Sequence, residues 1–195
     1  MLKIISAPNP VLSQKAKEVK KIDKSIFNFL QEMNEALLSA SDPVGVGLAA
    51  PQVGKSLQIF ITKPTNKSSI QVFINPKIIQ KTKTSHLTID SGRTKQLNKD
   101  GDPKKREQTK LEGCLSLQNI WGEVKRDPSI KISYMDEKGE KHTKEFNGFL
   151  STIIQHEVDH LNGILFPKRV LEQKGVLYKS SKNVKGEDVF EEIEI

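Results

Sequence analysis

Gly148-Phe-Leu-Ser-Thr-Ile-Ile-Gln-His156-Glu157-Val-Asp-His160-Leu161 carries the helical period. Phe149, Ile153, His156 and His160 lie along one stripe; Leu150, Ile154, Glu157 and Leu161 lie along the next. So wide an apolar face predicts a helix buried in the middle of the fold. Asn147 is a candidate N-cap, and Asn162-Gly163 reads as a C-terminal stop. His156 and His160 stand at i and i+4, where Cβ atoms are ~5–6 Å apart, so both imidazoles can converge on one cation. Glu157, one residue after the first histidine, is placed to handle a proton of the attacking water. A charged Glu157 among Phe149, Leu150, Ile153, Ile154 and Leu161 is costly unless it is paired or employed. The plainer alternative is a pair of core histidines bonded to their neighbours.

A metal on two histidines needs a third ligand. Cys114, the only cysteine, sits in Glu112-Gly-Cys-Leu-Ser116, where Gly113 permits close backbone approach. Its thiolate beside two imidazole nitrogens would leave a fourth tetrahedral position open, the layout of a catalytic site. A small buried cysteine with no such role is the alternative. One cysteine also excludes an internal disulfide and fits a reducing cytosol.

Outward from these segments the chain reads as mixed α and β. Asp23 precedes Ile26, Phe29, Leu30, Met33 and Leu37, which predicts an amphipathic helix ended before Pro43 and Gly45. Gln58–Thr62 and Ile70–Ile74 read as short strands, Asn75-Pro76 as punctuation, and Ile78-Ile79 as a short continuation. Ile130, Ile132 and Tyr134 alternate before Asp136-Glu-Lys-Gly139, and His142, Lys144 and Phe146 alternate after it, as in a hairpin. The tail from Gly175 has β-like pieces ending at Val189-Phe190 and Ile193–Ile195.

The 195 residues suit one domain, with 35% hydrophobic residues and no apolar run long enough to span a bilayer. Met1-Leu-Lys-Ile-Ile-Ser lacks a signal-peptide pattern, so a cytoplasmic location and no membrane partner are expected. The net charge of +7 suggests a polyanion partner, but residues 81–110 hold nine Lys/Arg against four Asp/Glu, while residues 186–195 hold five acids and no base. The basic balance is therefore concentrated in one polar segment, read as a solvated insertion at about 81–110. No aromatic residue interleaves with its charges, so no specific nucleic-acid sequence is expected as a partner.

Three separated segments, in order, resemble the signature motifs of the peptide deformylase family: Gly45-Val-Gly-Leu-Ala-Ala-Pro-Gln52, Glu112-Gly-Cys-Leu-Ser116 and Gln155-His-Glu-Val-Asp-His160. Weaker similarity covers most of residues 1–170. The resemblance implies a single catalytic domain over 1–195 and an α+β fold, with antiparallel sheets packed around a central buried helix carrying the HExxH motif. It implies hydrolysis of the N-formyl group from the formylmethionine of new polypeptides, releasing formate. By motif match, Cys114, His156 and His160 would bind one divalent metal: Fe²⁺ as the usual ion in the cell, with Zn²⁺, Ni²⁺ or Co²⁺ also able to occupy the site. Glu157 would be the general acid/base, and Gln52 with the Leu115 N–H would form the oxyanion hole. Gly47, Val46 and Ile153 are candidates for binding the substrate backbone and methionine side chain. The partners implied are nascent formylmethionyl polypeptides, with the ribosome exit region as a further candidate.

The chain departs from the family pattern in the long segment between Asn75 and Glu112, in the lack of a proline after Cys114, and in an acidic tail where a basic helix would favour ribosome docking. Glu112 and Arg126 are a candidate pair behind the metal loop, and Trp121 a candidate for either the substrate groove or the core. Two other readings remain. A zinc endopeptidase would take Glu172 or Glu187 as third ligand and leave Cys114 and Gln52 unexplained. An inert RNA-binding module would rest on residues 81–110.

Overall fold

Alternation along two short strands sets the core. The computed structural model describes residues 2–41, 43–82 and 111–194, so the basic segment expected at about 81–110 lies, from residue 83 on, outside the described residues. Among these residues, β1 (Gly47–Ala49), β2 (Ile59–Thr62), β3 (Gln71–Thr82), β6 (Ser129–Met135) and β7 (Lys141–Asn147) form an antiparallel sheet in the order β1-β2-β3-β6-β7. Ile59 and Ile61 of β2 point to one face and Phe60 to the other, as the period of two requires.

The first face is covered by α1 (Lys24–Ser39), whose Ile26, Phe29, Leu30, Met33 and Leu37 are buried as the spacing predicts. Asp23 caps it, accepting from the Ser25 and Ile26 N–H groups. The second face is covered by α2 (Gly148–Leu161), whose Ile154 and Leu161 pack on Phe60, Phe73, Ile130 and Ile132. Phe73 lies in the middle of this layer, 4.5 Å from the ring centres of both Phe60 and Tyr134.

A second antiparallel sheet, β4-β5-β8-β9, comprises β4 (Leu111–Cys114), β5 (Leu117–Glu123), β8 (Leu177–Lys182) and β9 (Asp188–Glu192). α3 (Phe166–Glu172) packs on it through Phe166 and Val170, which share a cluster with Cys114 and Leu177. α2 thus has its apolar side on the first sheet and its histidines toward β4 of the second. The expected α+β architecture, antiparallel sheets around the HExxH helix, is the observed one.

Several local expectations are corrected. Asn75-Pro76 does not end a strand. β3 runs through it with one register shift across Asn75-Pro76 and another between Ile78 and Gln80; Pro76 has no N–H for the ladder, and Asn75, at φ 50°, bonds both backbone groups of Val19. Asn147 holds the N-cap position of α2 as read, but as the last residue of β7 it makes no side-chain cap bond, and the Gly148 N–H bonds the Pro128 carbonyl. Phe149, placed in the buried stripe by periodicity, is 52% exposed: it starts the stripe of Ile153, His156 and His160, which faces the Gly47 and Cys114 segments, while Ile154 and Leu161 pack on the first sheet. Trp121 lies against Gly113, donates to Ser180 Oγ at 3.0 Å and meets Phe190 edge-on, so it packs within the second sheet.

The segment before α1 is an extended arm with one short turn at Pro10–Ser13. It is pinned by backbone bonds from Ile5 N–H to the Gln52 carbonyl (2.8 Å), Ala7 N–H to the Ser116 carbonyl (3.0 Å) and Ala16 N–H to the Leu161 carbonyl (2.9 Å). No described helix is long and apolar enough to cross a membrane.

Candidate metal centre

Three segments bring their polar side chains to one buried point. α2 presents His156 and His160 on its inner face, with rings at 77° to each other and the two Nε2 atoms 3.1 Å apart. The end of β4 brings the Cys114 sulfur to 3.3 Å from His160 Nε2. The ligand atoms of Cys114, His156 and His160 lie within 4.8 Å of one another.

The donor set fits a metal ion. Glu112 holds His156 Nδ1 at 2.6 Å, and as a carboxylate it can only accept, so Nδ1 carries the proton. The lone pair of a neutral His156 is thereby left on Nε2, facing the sulfur and the second imidazole, the usual second-layer arrangement at a metal-binding histidine. Three electron-rich atoms converging in a water-poor site are better satisfied by a soft or borderline cation than by one another. The Nδ1 of His160 is buried and has no partner among the described residues. Burial opposes charge on His156, yet the bonds to Cys114 and Glu112 outweigh it and raise its pKa well above the usual range. Burial and the charge of His156 push His160 well below.

Glu157 is nearly inaccessible, and its Oε2 has no hydrogen-bond partner among the described residues. Burial raises its carboxyl to about 7, with His156 pulling the other way. Its Oε1 lies against Gly47, so closely that a Cβ on residue 47 would collide with the carboxyl and with Ile153 Cγ2. Glycine is required there by this close approach. Val46, next along, is half-buried and accepts the Lys63 N–H.

Gln52 sits in the tight turn Ala50–Val53 that follows β1. Its Oε1 accepts the Ala49 N–H at 2.8 Å, which fixes which end of the amide is which. Its Nε2 is therefore aimed at Cys114 Sγ (3.5 Å) and Ser116 Oγ (3.3 Å). Leu115 occupies the turn between Cys114 and Ser116. Gln52, Leu115, Cys114, His156, Glu157 and His160 thus gather at one place, with Gly47 and Ile153 beside Glu157.

The expected Glu112–Arg126 pair is present as a two-bonded fork, at 2.9 and 2.6 Å. Its extension was not read from the sequence. Arg126 Nη1 also donates to Asp159 Oδ2 at 2.6 Å, and Arg169 of α3 grips both oxygens of Asp159 at 2.6 and 3.1 Å. The signal was available in Asp159 itself: a second acid inside a buried helix carries the same cost as Glu157 and demands partners. Neither Glu172 nor Glu187 reaches the histidines; Glu172 pairs with Arg169 and Glu187 with Asn183. The endopeptidase reading loses its third ligand.

Burial alone would raise the Glu112 carboxyl, but His156 and Arg126 hold it at about 2, from an ordinary 4.5. Asp159 is likewise held low by Arg169 and Arg126 against its burial. A carboxylate depressed by folding stabilises the fold above its unfolded pKa and loses that contribution as pH falls through the folded value. In the metal-free protein, unfolding free energy is thus expected to drop between pH 4.5 and about 2. Urea unfolding across that range measures it, and Arg126→Met should flatten the dependence as well as lower stability.

A family model described as polypeptide deformylase matches residues 1–176. Peptide deformylase 1 of Bacillus cereus is 36% identical over 170 residues, covering 87% of this chain and 92% of that protein. The peptide deformylase of Borreliella burgdorferi is 36% identical over 165 residues, covering 85% of each. The crystal structure of peptide deformylase from Thermotoga maritima superposes with a TM-score of 0.68 at 33% identity, covering 87% of this chain and 97% of that one.

Proposed function

This chain belongs to the polypeptide deformylase family, metal-dependent enzymes that remove the N-formyl group from nascent polypeptides, and from that premise we propose how its residues divide the work. Cys114, His156 and His160 hold one divalent ion, Fe²⁺ in the cell, with Zn²⁺, Ni²⁺ or Co²⁺ as substitutes. When bound, the metal supplies Lewis-acid activation of water near neutral pH. Glu157 takes the proton of the attacking water and returns it to the leaving amine. Gln52 Nε2 and the Leu115 N–H donate to the formyl oxygen as it gains charge. The substrate backbone adds as a strand beside Gly47, and Val46 and Ile153 line the slot for the methionine side chain. The described sheets and α2 act as one catalytic domain within 1–195. The substrates are formylmethionyl chains as they leave the ribosome exit region, in the cytoplasm, with neither a nucleic-acid sequence nor a membrane as partner.

The observation that carries this reading is a buried Glu157 carboxyl with a pKa near neutrality, its Oε2 without a partner among the described residues, on the same helix turn as two histidines that meet a cysteine. It is tested by an anaerobic assay of formyl-Met peptide hydrolysis with Fe²⁺. Activity is expected, to be lost with a chelator and restored by the metal. An acetyl-Met peptide should turn over far more slowly, because the space around Gly47 is closed by Glu157 and Ile153. Equal rates would remove size selection at this wall. Gln52→Ala is expected to lower kcat by ~10²–10³-fold with the metal retained, the usual loss for one oxyanion donor.

A further inference from the structure

We propose that Arg169, on α3 and outside the catalytic motifs, is a positioning residue that sets the His156 imidazole through Asp159, Arg126 and Glu112. This rests on the reading of His156 as a metal ligand. The chain of contacts is continuous. Arg169 Nη2 and Nε bond Asp159 Oδ1 and Oδ2; Arg126 Nη1 bonds Asp159 Oδ2; Arg126 Nε and Nη2 bond Glu112; Glu112 Oε1 accepts from His156 Nδ1. Charges alternate along it, and the Arg126, Glu112 and Asp159 side chains are each less than a tenth exposed.

Geometry makes the chain stiff. A guanidinium is a planar fork, so its bonds to two carboxylates fix their relative orientation. Arg126 spends one edge on Glu112 and its remaining nitrogen on Asp159. The tilt of the Arg126 plane, and with it Glu112 Oε1, therefore follows Asp159. Asp159 lies on α2 one residue before His160, and its carboxylate is held in place by the Arg169 fork. Without Arg169, a buried carboxylate keeps only its Arg126 bond and draws that guanidinium toward itself, away from Glu112. On its outer side Arg169 meets Glu172, a half-exposed pair at 2.9 Å that gives a control.

The test uses the Co²⁺-loaded holoenzyme, measuring kcat and KM on a formyl-Met peptide, the visible Co²⁺ absorption, the rate of metal loss to a chelator, and Tm. Arg169→Met is expected to lower kcat about 5–10-fold, below the ~10–100-fold typical of direct neighbours of a ligand, with KM within about twofold. It should also shift the Co²⁺ bands and speed metal loss. Arg169→Lys keeps the charge but not the fork, and should not restore kcat. Glu172→Gln should leave kcat, spectrum and metal loss at wild-type values. The double variant Arg169→Met/Glu112→Gln should be no slower than Glu112→Gln alone, because both act through one path. A fall in Tm with wild-type kcat, spectrum and metal-loss rate in both Arg169 variants overturns the proposal, as does additivity in the double variant. His156→Ala separates the two readings: full metal affinity there sinks the assignment of His156 as ligand and this inference with it, whereas lost affinity beside an unchanged Arg169→Met sinks the inference alone.

Discussion

Glu157→Ala is expected to fold, to bind its metal and to lose turnover by about 10³-fold or more, equivalent to ~4 kcal/mol of barrier. The size follows from the absence of a substitute. Among the described residues the other carboxylates near the site, Glu112 and Asp159, are locked in guanidinium forks and held strongly acidic. Neither can accept a proton near neutral pH, whereas Glu157 is raised to about 7 and its Oε2 has no hydrogen-bond partner among the described residues. The helix should persist, because Ile154 and Leu161 anchor it to the first sheet independently of the carboxyl. Single-turnover kinetics beside metal analysis measures the effect. Wild-type kcat would remove Glu157 from the mechanism.

Cys114→Ser is expected to weaken metal binding by well over ~100-fold, more than the loss of an outer-layer partner, and to abolish hydrolysis at limiting metal. A hydroxyl is a poor ligand beside the thiolate it replaces, and the two imidazoles alone leave the ion under-coordinated. The backbone should be little changed, since β4 is tied to β5 on both sides of the turn and the serine is close in size. Metal content after dialysis, with circular dichroism as the control, reads the result. Retained metal and activity would mean that the sulfur at 3.3 Å from His160 is an ordinary buried thiol.

The sequence was most legible where one segment carried both period and chemistry. α2 showed its stripe, its two histidines and its acid at once, and the structure keeps all three. Cys114 was legible as a ligand only together with the histidines, because its approach to them depends on the end of β4 meeting α2, two segments distant in sequence. Asn75-Pro76 misled because the same residues that stop a strand can also serve as a bulge when the side chain of Asn75 ties a neighbouring arm. Phe149 misled because periodicity reports which residues share a side of the helix and not which of them a neighbouring segment covers. The Glu112–Arg126 pair was anticipated, but Asp159 and Arg169 were not. α3 is a single short helix, too brief to show a period, and only the folded chain places its arginine against α2.

The arm ahead of α1 touches Gln52, the Ser116 turn and the end of α2 in succession. It is made before every one of these docking partners, the last of which lies at Leu161. Such contacts close over long loops and form late in folding. The arm can therefore complete its seat against Gln52, the Ser116 turn and Leu161 only after the end of α2 has been translated.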